Sequence, residues 1–352
     1  MHRKITLLIL MLGLLLFNSC AKQEEILSDH AFALDTIIDL KVYHYSNDKI
    51  DETTIDDAFK LISSLENILS VHKEDSDVYN LKQVAGIKPI TVDEKTYELL
   101  EQSIKYSKLS NGLFDITSGP LIDIWAIDPP YGYVPKSAEL EKILPLIDYN
   151  MIEFQNDNKV MLRNEKMIVN LGAIAKGYIA DEVKQLLIDY GVKHALINLG
   201  GNVLLVGNKI DGSDFRIGIQ NPNDDRGAYL MSVSLSDVAV VSSGDYERFF
   251  EYEGKVYHHI LNPKTGYPAD TNIKQVSIVA PNSTQADGLS TSVLLVGLED
   301  GIKLVESLKG VEAIFITKDK KIYITDGLKG KYEVDEDQMK GFDLVENSQD
   351  LY

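Results

Sequence analysis

The sequence predicts an α+β fold with mixed, largely antiparallel sheets and helices that flank them. Segments in which apolar and polar residues alternate, as in half-buried strands, occur beside segments with apolar residues at helical spacing. The two kinds of segment do not follow one another in strict strand–helix–strand order, as a parallel sheet with crossover helices requires. The chain of 352 residues is long enough for one large domain or two smaller ones, with ample core.

The predicted elements follow from these local patterns, taken in chain order. Residues 32–45 alternate apolar and polar and predict one strand, whereas residues 55–70 predict an amphipathic helix. Thr91 is placed to cap a helix that ends near Ser110, just before an Asn-Gly pair. Further helices are predicted at 136–147, 173–190, 286–296 and 302–308. Further strands are predicted at 151–155, 159–163, 167–170, 194–199, 202–207, 215–220, 231–241, 275–280, 313–317 and 321–325, with a hairpin at 248–257.

Composition and charge exclude several classes of protein. Hydrophobic residues make up 44% of the chain and charged residues 25%, which excludes a wholly disordered, collagen-like or polytopic membrane protein. The formal net charge is −19. Binding to nucleic acid depends on clustered Lys and Arg that contact phosphates, so we expect no nucleic-acid partner.

The first twenty residues predict a targeting signal. A basic start at Arg3 and Lys4 precedes an apolar run over 5–17, which is too short to span a bilayer comfortably. Cys20, the single cysteine, follows this run, and the layout resembles a bacterial lipoprotein signal. Residues 1–19 would then be the signal peptide, Cys20 the lipidated N-terminus and residues 20–30 a polar tether. The alternative is an uncleaved anchor with an incidental cysteine.

Two glycine-containing segments combine polar residues in a way that suggests a ligand. Residues 170–178 join a predicted strand to a predicted helix, and free N–H groups at a helix start favour phosphate, as does Lys176. Residues 198–202 end a predicted strand with paired glycines, which permit a turn or the close approach of a ligand. A helix start chosen for packing and a plain turn are the alternatives.

Two later segments contain histidine and serine in unusual density. Residues 242–250 and 258–268 hold an Asp, a Glu, an Arg and two adjacent histidines. A histidine can transfer protons near neutral pH. Adjacent residues of a strand face opposite sides, so we expect only one of His258 and His259 to point into a given site. A structural histidine pair is the alternative.

Asp287 and Thr291 are four residues apart on a predicted helix and therefore lie on one face. Carboxylate and hydroxyl oxygens suit hard cations such as Mg²⁺, which also take phosphate oxygens as ligands. The alternative is a charge at the helix start together with an intrahelical hydroxyl contact.

Taken together, these segments resemble the ApbE family, the FAD:protein FMN transferases, over about residues 32–326. Eight motifs occur in the family's order. They are FALDT (32–36), SVHKEDSDVYNL (70–81), GLFDITSGPLIDIW (112–125), NLGAIAKGYIAD (170–181), INLGGN (197–202), SSGDYERFF (242–250), HHILNPKTGYP (258–268) and ADGLSTSVLLVG (286–297).

The resemblance implies an ApbE-like (T-fold-like) domain over residues 31–327. The last residues are acidic and weakly apolar, which predicts a C-terminal tail over 328–352. It implies Mg²⁺-dependent transfer of FMN from FAD to a Ser or Thr hydroxyl of a target protein through a phosphoester bond, with release of AMP. Expected acceptors are flavoprotein subunits with an Asp-x-x-Ser/Thr-Gly-Ala-type motif, such as subunits of membrane redox pumps. A lipid anchor would hold the protein on a membrane, facing the periplasm or the cell exterior.

The resemblance also assigns site residues. Asp287, Thr291, Ser290 and the backbone carbonyl of Ala173 match metal-binding positions. His259 and Asp287 match catalytic positions, and the sequence does not decide which of the two deprotonates the incoming hydroxyl. Contacts to FAD are expected from Leu34, His72, Leu113, Phe114, Asp115, Asn170, Lys176, Ile260 and Leu261.

Two other functions use the same residues. An FAD pyrophosphatase would pass FMN to water and release free FMN with AMP. A non-catalytic FAD-binding lipoprotein would leave FAD intact, and the presence of Asp287, Thr291 and His259 argues against it.

We predict that the mature protein begins at a lipidated Cys20. Intact-mass analysis of the membrane fraction should show that residues 1–19 are missing and that Cys20 has gained the mass of a lipid. Recovery of a soluble, full-length chain would contradict this prediction.

Overall fold

The computed structural model describes residues 23–127 and 132–345. Its helices are α1 (Glu52–Leu69), α2 (Asp77–Gln83), α3 (Glu94–Leu109), α4 (Gly119–Trp125), α5 (Ser137–Ile143), α6 (Ala175–Asp189), α7 (Ser283–Val296) and α8 (Leu298–Glu306). Its strands are β1 (Glu24–Ala33), β2 (Thr36–Tyr45), β3 (Ile90–Thr91), β4 (Ile152–Gln155), β5 (Lys159–Leu162), β6 (His194–Leu199), β7 (Asn202–Val206), β8 (Phe215–Gln220), β9 (Tyr229–Leu235), β10 (Ala239–Gly244), β11 (Phe249–Tyr252), β12 (Lys255–His258), β13 (Ile273–Ala280), β14 (Glu312–Thr317), β15 (Lys321–Ile324), β16 (Tyr332–Val334) and β17 (Asp343–Val345).

A large sheet organises the fold. It holds nine strands in the order β1-β2-β6-β7-β10-β13-β14-β15-β17, and its neighbours are antiparallel except for the parallel pair β15–β17. Smaller antiparallel sheets are β16-β9-β8, β3-β5-β4 and β11-β12. The predicted α+β class with largely antiparallel sheets is therefore confirmed.

The large sheet is buried on both faces. On β14, Phe315 packs in the cluster that includes the helices, whereas Ile314 and Ile316 pack in the cluster that includes β8 and β9. Such alternation follows from the two-residue period of a strand. It explains why central strands of the sequence are apolar at consecutive positions rather than alternating.

Hydrogen bonds join helix α6 to the N-terminal end of helix α7. The Asp181 carboxylate on α6 accepts hydrogen bonds from the N–H groups of Ser283 and Thr284, both at 2.8 Å, at the start of α7. These are N–H groups that a helix start cannot satisfy internally. The cap fixes the register of α7 against α6, on which the cavity described below depends.

The two ends of the predicted domain are more ordered than the sequence suggested. The segment 20–30, expected to be a tether, contributes from Glu24 onward to strand β1, which pairs with β2 over its full length. The single strand expected at 32–45 is thus interrupted by a turn at Leu34 and Asp35, whose φ values are 54° and 57°. The expected tail after residue 327 contributes β16 and β17 to two sheets.

Several internal boundaries also differ from the prediction. Asp93 rather than Thr91 caps α3, since its carboxylate accepts the N–H of Lys95 at 2.8 Å. The strand expected at 231–241 is two strands with a turn near Asp237, whose φ is 51°. The strand expected at 167–170 forms only an isolated bridge between Ile168 and Ser118.

Predictions for residues 1–22, including the signal peptide and Cys20, concern a part of the chain outside the described residues. Among the helices that the structure does describe, none combines the length and the apolar character needed to cross a membrane.

We predict that Gly288→Ala destabilises the fold. A Cβ at Gly288 would lie 2.7 Å from the ring of Tyr106, which is itself buried, so the ring or the helix would have to shift. Overpacking of this kind costs about 1–3 kcal/mol, against a gain of about 1 kcal/mol in helix propensity. Urea unfolding should therefore show a loss of about 1 kcal/mol. Gln285→Ala on the same helix is the control, and a stabilised Gly288→Ala protein would contradict the packing argument.

Candidate functional site

A large cavity brings together segments that are far apart in the sequence. Its volume is about 1580 Å³, and its wall includes the β1–β2 turn, the loop before α6, one face of α7 and the loop that follows β12. Thirteen of the predicted site residues line it: Leu34, His72, Leu113, Phe114, Asp115, Asn170, Ala173, Lys176, His259, Ile260, Leu261, Asp287 and Thr291. A cavity this size accommodates an extended ligand.

Asp287 is the buried carboxylate of this cavity. Its Oδ2 accepts a hydrogen bond from the N–H of Gly177 at 2.7 Å, a contact between α7 and α6. The approach is possible because Gly177 has no side chain: a Cβ there would lie 2.4 Å from the carbonyl oxygen of Ser283. Gly177, within the 170–178 segment, therefore positions the carboxylate of Asp287.

The surroundings of Asp287 oppose its ionisation. Burial raises the pKa of Asp287 to about 6, although the nearby Lys176 ammonium, the Gly177 N–H and the Asn202 amide each lower it. A positive ion beside the carboxylate would favour the charged form. A cation that binds at Asp287 would therefore stabilise the charged carboxylate and lower its pKa.

Thr291 and Ser290 occupy different places on α7. Thr291 lines the cavity with Asp287, as expected for residues four apart. Ser290 is fully buried, and its hydroxyl donates to the carbonyl oxygen of Asp287 at 2.9 Å. Ser290 therefore does not reach the cavity in this geometry, and the metal-binding role predicted for it is peripheral at most.

The oxygen atoms of Asp287, Thr291 and Ala173 are chemically suited to Mg²⁺. A carboxylate, a hydroxyl and a backbone carbonyl are hard donors, and Mg²⁺ typically takes one or two carboxylates and completes its shell with waters and phosphates. Among the described residues no group of three or more His, Cys, Asp and Glu side chains could hold a metal. Waters and phosphate oxygens are the ligands that would complete the shell of Mg²⁺ here.

The loop before α6 is held in a fixed shape. The Asn170 side chain accepts the N–H of Gly172 at 2.9 Å, and the Asn170 N–H donates to the carbonyl of Ile116 at 2.7 Å. This arrangement presents Ala173 and Lys176 to the cavity. Phosphate binding at this helix start remains a prediction, and Lys176 provides the positive charge for it.

Asp115 lines the cavity, and its carboxylate is occupied by hydrogen bonds within the wall. Its carboxylate accepts the Thr117 N–H at 2.8 Å, the Thr117 hydroxyl at 2.7 Å and the Tyr149 N–H at 3.0 Å. Burial raises the pKa of Asp115 against these hydrogen bonds. We therefore interpret Asp115 as the residue that shapes the 113–118 segment, while Leu113 and Phe114 supply apolar wall.

His259 points into the cavity with a defined tautomer. Its Nδ1 lies 3.1 Å from the carbonyl oxygen of Arg248, which can only accept, so Nδ1 carries the hydrogen and Nε2 keeps a lone pair. Burial, together with the neighbouring Arg248 guanidinium, lowers the pKa of His259 well below its ordinary value. The imidazole is therefore neutral at pH 7 before substrate binds.

His258 faces the other way, as the strand period predicts. It is buried, and its Nε2–H donates to the carbonyl of Ala269 at 3.1 Å, which ties the start of the loop to its end. Burial lowers its pKa as well. An alanine at His258 would remove this hydrogen bond and loosen the loop that carries His259. A substitution at His258 would therefore affect His259 indirectly.

The cavity mouth is formed in part by the β1–β2 turn. Leu34 adopts a left-handed conformation there, with its N–H directed to the Glu66 carboxylate at 3.3 Å. His72 is exposed near this turn, so its ring is accessible to a ligand.

Sequence reasoning missed three residues that shape the site. Gly177 and Ser243 lie inside motifs quoted for the resemblance, but their roles depend on contacts with α7. Asn202 is held by the Ser283 hydroxyl at 2.6 Å and acts on Asp287. A glycine in the first turn of a helix was the one signal available in advance, since it suggests a close packing contact.

The fold and the order of the cavity segments match one class of known proteins. The model of the ApbE family matches residues 34–315. The FAD:protein FMN transferase of Treponema pallidum (strain Nichols) is 33% identical over 315 residues, which cover 86% of this chain and 87% of that protein. The FAD:protein FMN transferase of Klebsiella pneumoniae (strain 342) is 34% identical over 86% of this chain and 92% of that protein.

Solved structures agree with these relatives. The crystal structure of the ApbE protein from Thermotoga maritima has a TM-score of 0.80 and 30% identity, and the match covers 87% of this chain and 99% of that one. The chain belongs to the ApbE family. The family prediction is therefore confirmed, and the predicted enzyme class is the one that both curated relatives carry in their names.

We predict that Asp287→Asn stabilises the metal-free protein at pH 7. Because the pKa of Asp287 is raised from 3.8 to about 6, the folded state holds an extra proton between these values, and stability falls as pH rises through them. The gain of the variant in unfolding free energy should be about 2–3 kcal/mol above pH 6 and should vanish below about pH 4. Urea unfolding in EDTA at several pH values measures it.

Asp300→Asn, at an exposed position on α8, is the matched control and should change stability little at any pH. A pH-independent effect of Asp287→Asn would mean that the carboxylate does not titrate as its surroundings predict.

Proposed function

We propose that this chain is an FAD:protein FMN transferase that moves FMN from FAD to a Ser or Thr hydroxyl of an acceptor protein, forms a phosphoester bond and releases AMP. The observation that carries the proposal is the convergence of Lys176, His259 and Asp287, from three separate segments, on one cavity. A phosphoryl transfer needs positive charge, a proton acceptor and a site for a divalent cation. The curated relatives carry the name of this reaction.

We assign the cation site to Asp287, Thr291 and the carbonyl of Ala173. When bound there, Mg²⁺ would neutralise charge on the pyrophosphate and on the leaving AMP. The Gly177 N–H holds one oxygen of Asp287 and so fixes the carboxylate in the cavity wall. Lys176 adds a second positive charge on the same wall.

His259 is the better candidate for the proton acceptor. Its Nε2 lone pair is available because Nδ1–H is bound to the carbonyl of Arg248. The negative charge of a bound pyrophosphate favours the protonated imidazole and would bring its low pKa back toward neutrality. In the proposed step the acceptor hydroxyl gives its proton to Nε2, its oxygen bonds to the phosphorus of the FMN half, and the bond from that phosphorus to AMP breaks.

Asp287 is less suited to the role of proton acceptor if it holds a cation, because a ligating carboxylate has little basicity left for a proton.

Contacts to FAD would come from apolar side chains. Ile260 and Leu261, both largely buried, would pack against the flavin side of FAD. His72 and Leu34, at the cavity mouth, would contact the part of FAD that lies nearest to the solvent.

We further propose that the protein is a lipoprotein anchored through Cys20, facing the periplasm or the cell exterior. Its acceptors would be flavoprotein subunits with an Asp-x-x-Ser/Thr-Gly-Ala-type motif, such as subunits of membrane redox pumps. The basic, apolar and cysteine-containing start of the sequence supports the anchor.

The direct test incubates the protein with FAD, Mg²⁺ and an acceptor fragment that contains the motif. Flavin fluorescence on the acceptor band, with AMP released in equal amount, is the expected result. An acceptor in which the Ser or Thr is replaced by Ala should stay unlabelled, and Asp287→Ala should abolish labelling. Free FMN with AMP would show a pyrophosphatase instead, and intact FAD on the protein would show a binding protein. Either result would overturn the transfer reaction.

We predict that His259→Ala lowers turnover by about 10²–10⁴-fold while the dissociation constant for FAD changes by no more than a few-fold, as for loss of a general base. Single-turnover labelling and flavin-fluorescence titration measure the two quantities separately. The matched control is Lys264→Ala, an exposed position in the same loop. A loss confined to FAD affinity would remove His259 from the catalytic residues.

A further inference from the structure

A row of three hydroxyl groups runs from the cavity wall into helix α7. Ser243 Oγ, on β10, lies 2.8 Å from Ser290 Oγ and 3.5 Å from Thr291 Oγ1. Ser290 Oγ donates to the carbonyl oxygen of Asp287 at 2.9 Å. Ser243 and Thr291 line the cavity, whereas Ser290 is fully buried.

The direction of these hydrogen bonds follows from the count of hydrogens. A hydroxyl has one hydrogen to donate, and a carbonyl oxygen can only accept. Ser290 uses its hydrogen on the Asp287 carbonyl, so in the 2.8 Å contact Ser243 is the donor. With its own hydrogen used, Ser243 can only accept from Thr291. The row therefore runs from Thr291 to Ser243, to Ser290 and to the helix backbone.

We propose that Ser243 is a positioning residue for the cation site: it accepts the hydroxyl hydrogen of Thr291 and so turns the lone pairs of Thr291 Oγ1 toward the cavity beside Asp287. This inference rests on the proposed function, because it takes the cation to be the Mg²⁺ of that reaction. It also gives Ser290 a role. Ser290 accepts the hydroxyl hydrogen of Ser243, so the oxygen of Ser243 is left to accept from Thr291.

The chemistry of a hydroxyl ligand explains why an acceptor matters. A neutral hydroxyl binds a cation through a lone pair and still carries its hydrogen, which must point away from the cation. Partners behind a ligand set its orientation, and their loss typically costs about 10–100-fold in metal affinity. Without Ser243, the hydroxyl of Thr291 would be free to rotate its hydrogen into the space of the cation.

The test measures Mn²⁺ binding by electron paramagnetic resonance, with the protein alone and with FAD bound, and so does not depend on turnover. Ser243→Ala should weaken Mn²⁺ binding roughly tenfold or more. Ser243→Thr keeps a hydroxyl and should restore most of the affinity. The matched control is Ser292→Ala on the same helix, whose buried hydroxyl bonds only within α7, to the carbonyl of Gly288 at 2.6 Å. It should bind Mn²⁺ like the wild type.

Titration of FAD in EDTA separates positioning from direct contact. The affinity of Ser243→Ala for FAD without metal should equal that of the wild type. An equal loss of FAD affinity in EDTA would make Ser243 a substrate contact and overturn the positioning role. Unchanged Mn²⁺ affinity in Ser243→Ala would overturn it as well, with the proposed reaction left standing. If the wild type takes up no Mn²⁺ in either state, the cation assignment fails and this inference fails with it.

Discussion

The hydrogen bond from the Gly177 N–H to the Asp287 carboxylate is the contact on which the rest of the site depends. It joins positions 110 residues apart in the sequence. It requires α6 and α7 to approach so closely that a Cβ on Gly177 would lie 2.7 Å from the Cβ of Asp287. One turn further along α6, Asp181 caps the start of α7, so the two helices meet in one register. This register places three side chains in the same cavity wall: Asp287, Thr291 and Lys176.

This arrangement has a cost in stability that the remaining fold offsets. The carboxylate of Asp287, buried where α7 packs against α6, is poorly solvated, and this burial raises its pKa to about 6. The large sheet compensates because it is buried on both faces, with helices on one side and β8 and β9 on the other. Such a rigid scaffold can keep an unfavourable charge in place, and in the proposed reaction a cation would neutralise it.

Local patterns predicted most of the elements, and every site residue that the resemblance assigned, except Ser290, lines the cavity. What they missed were features set by distant contacts. The turn at Leu34 and Asp35 has neither Gly nor Asn, the residues that ordinarily adopt left-handed conformations, so a hairpin appeared as one strand. Strands β16 and β17 have only three residues each, too few to show a period in the sequence, and their pairing with β9 and β15 identifies them as strands. The role of Ser243 depends on α7, which follows it by some forty residues.

The charge balance of the cavity links cation binding to substrate binding. Asp287 is its most buried carboxylate, and Lys176 and Arg248 line the same wall. Lys176 lies close enough to Asp287 to lower its pKa and would oppose a second cation there, so we expect the phosphates of FAD to supply much of the attraction for Mg²⁺. In the proposed reaction, FAD should therefore raise the affinity for Mg²⁺, and by linkage Mg²⁺ should raise the affinity for FAD by the same factor. The cation would then occupy its site chiefly when there is a pyrophosphate to cleave.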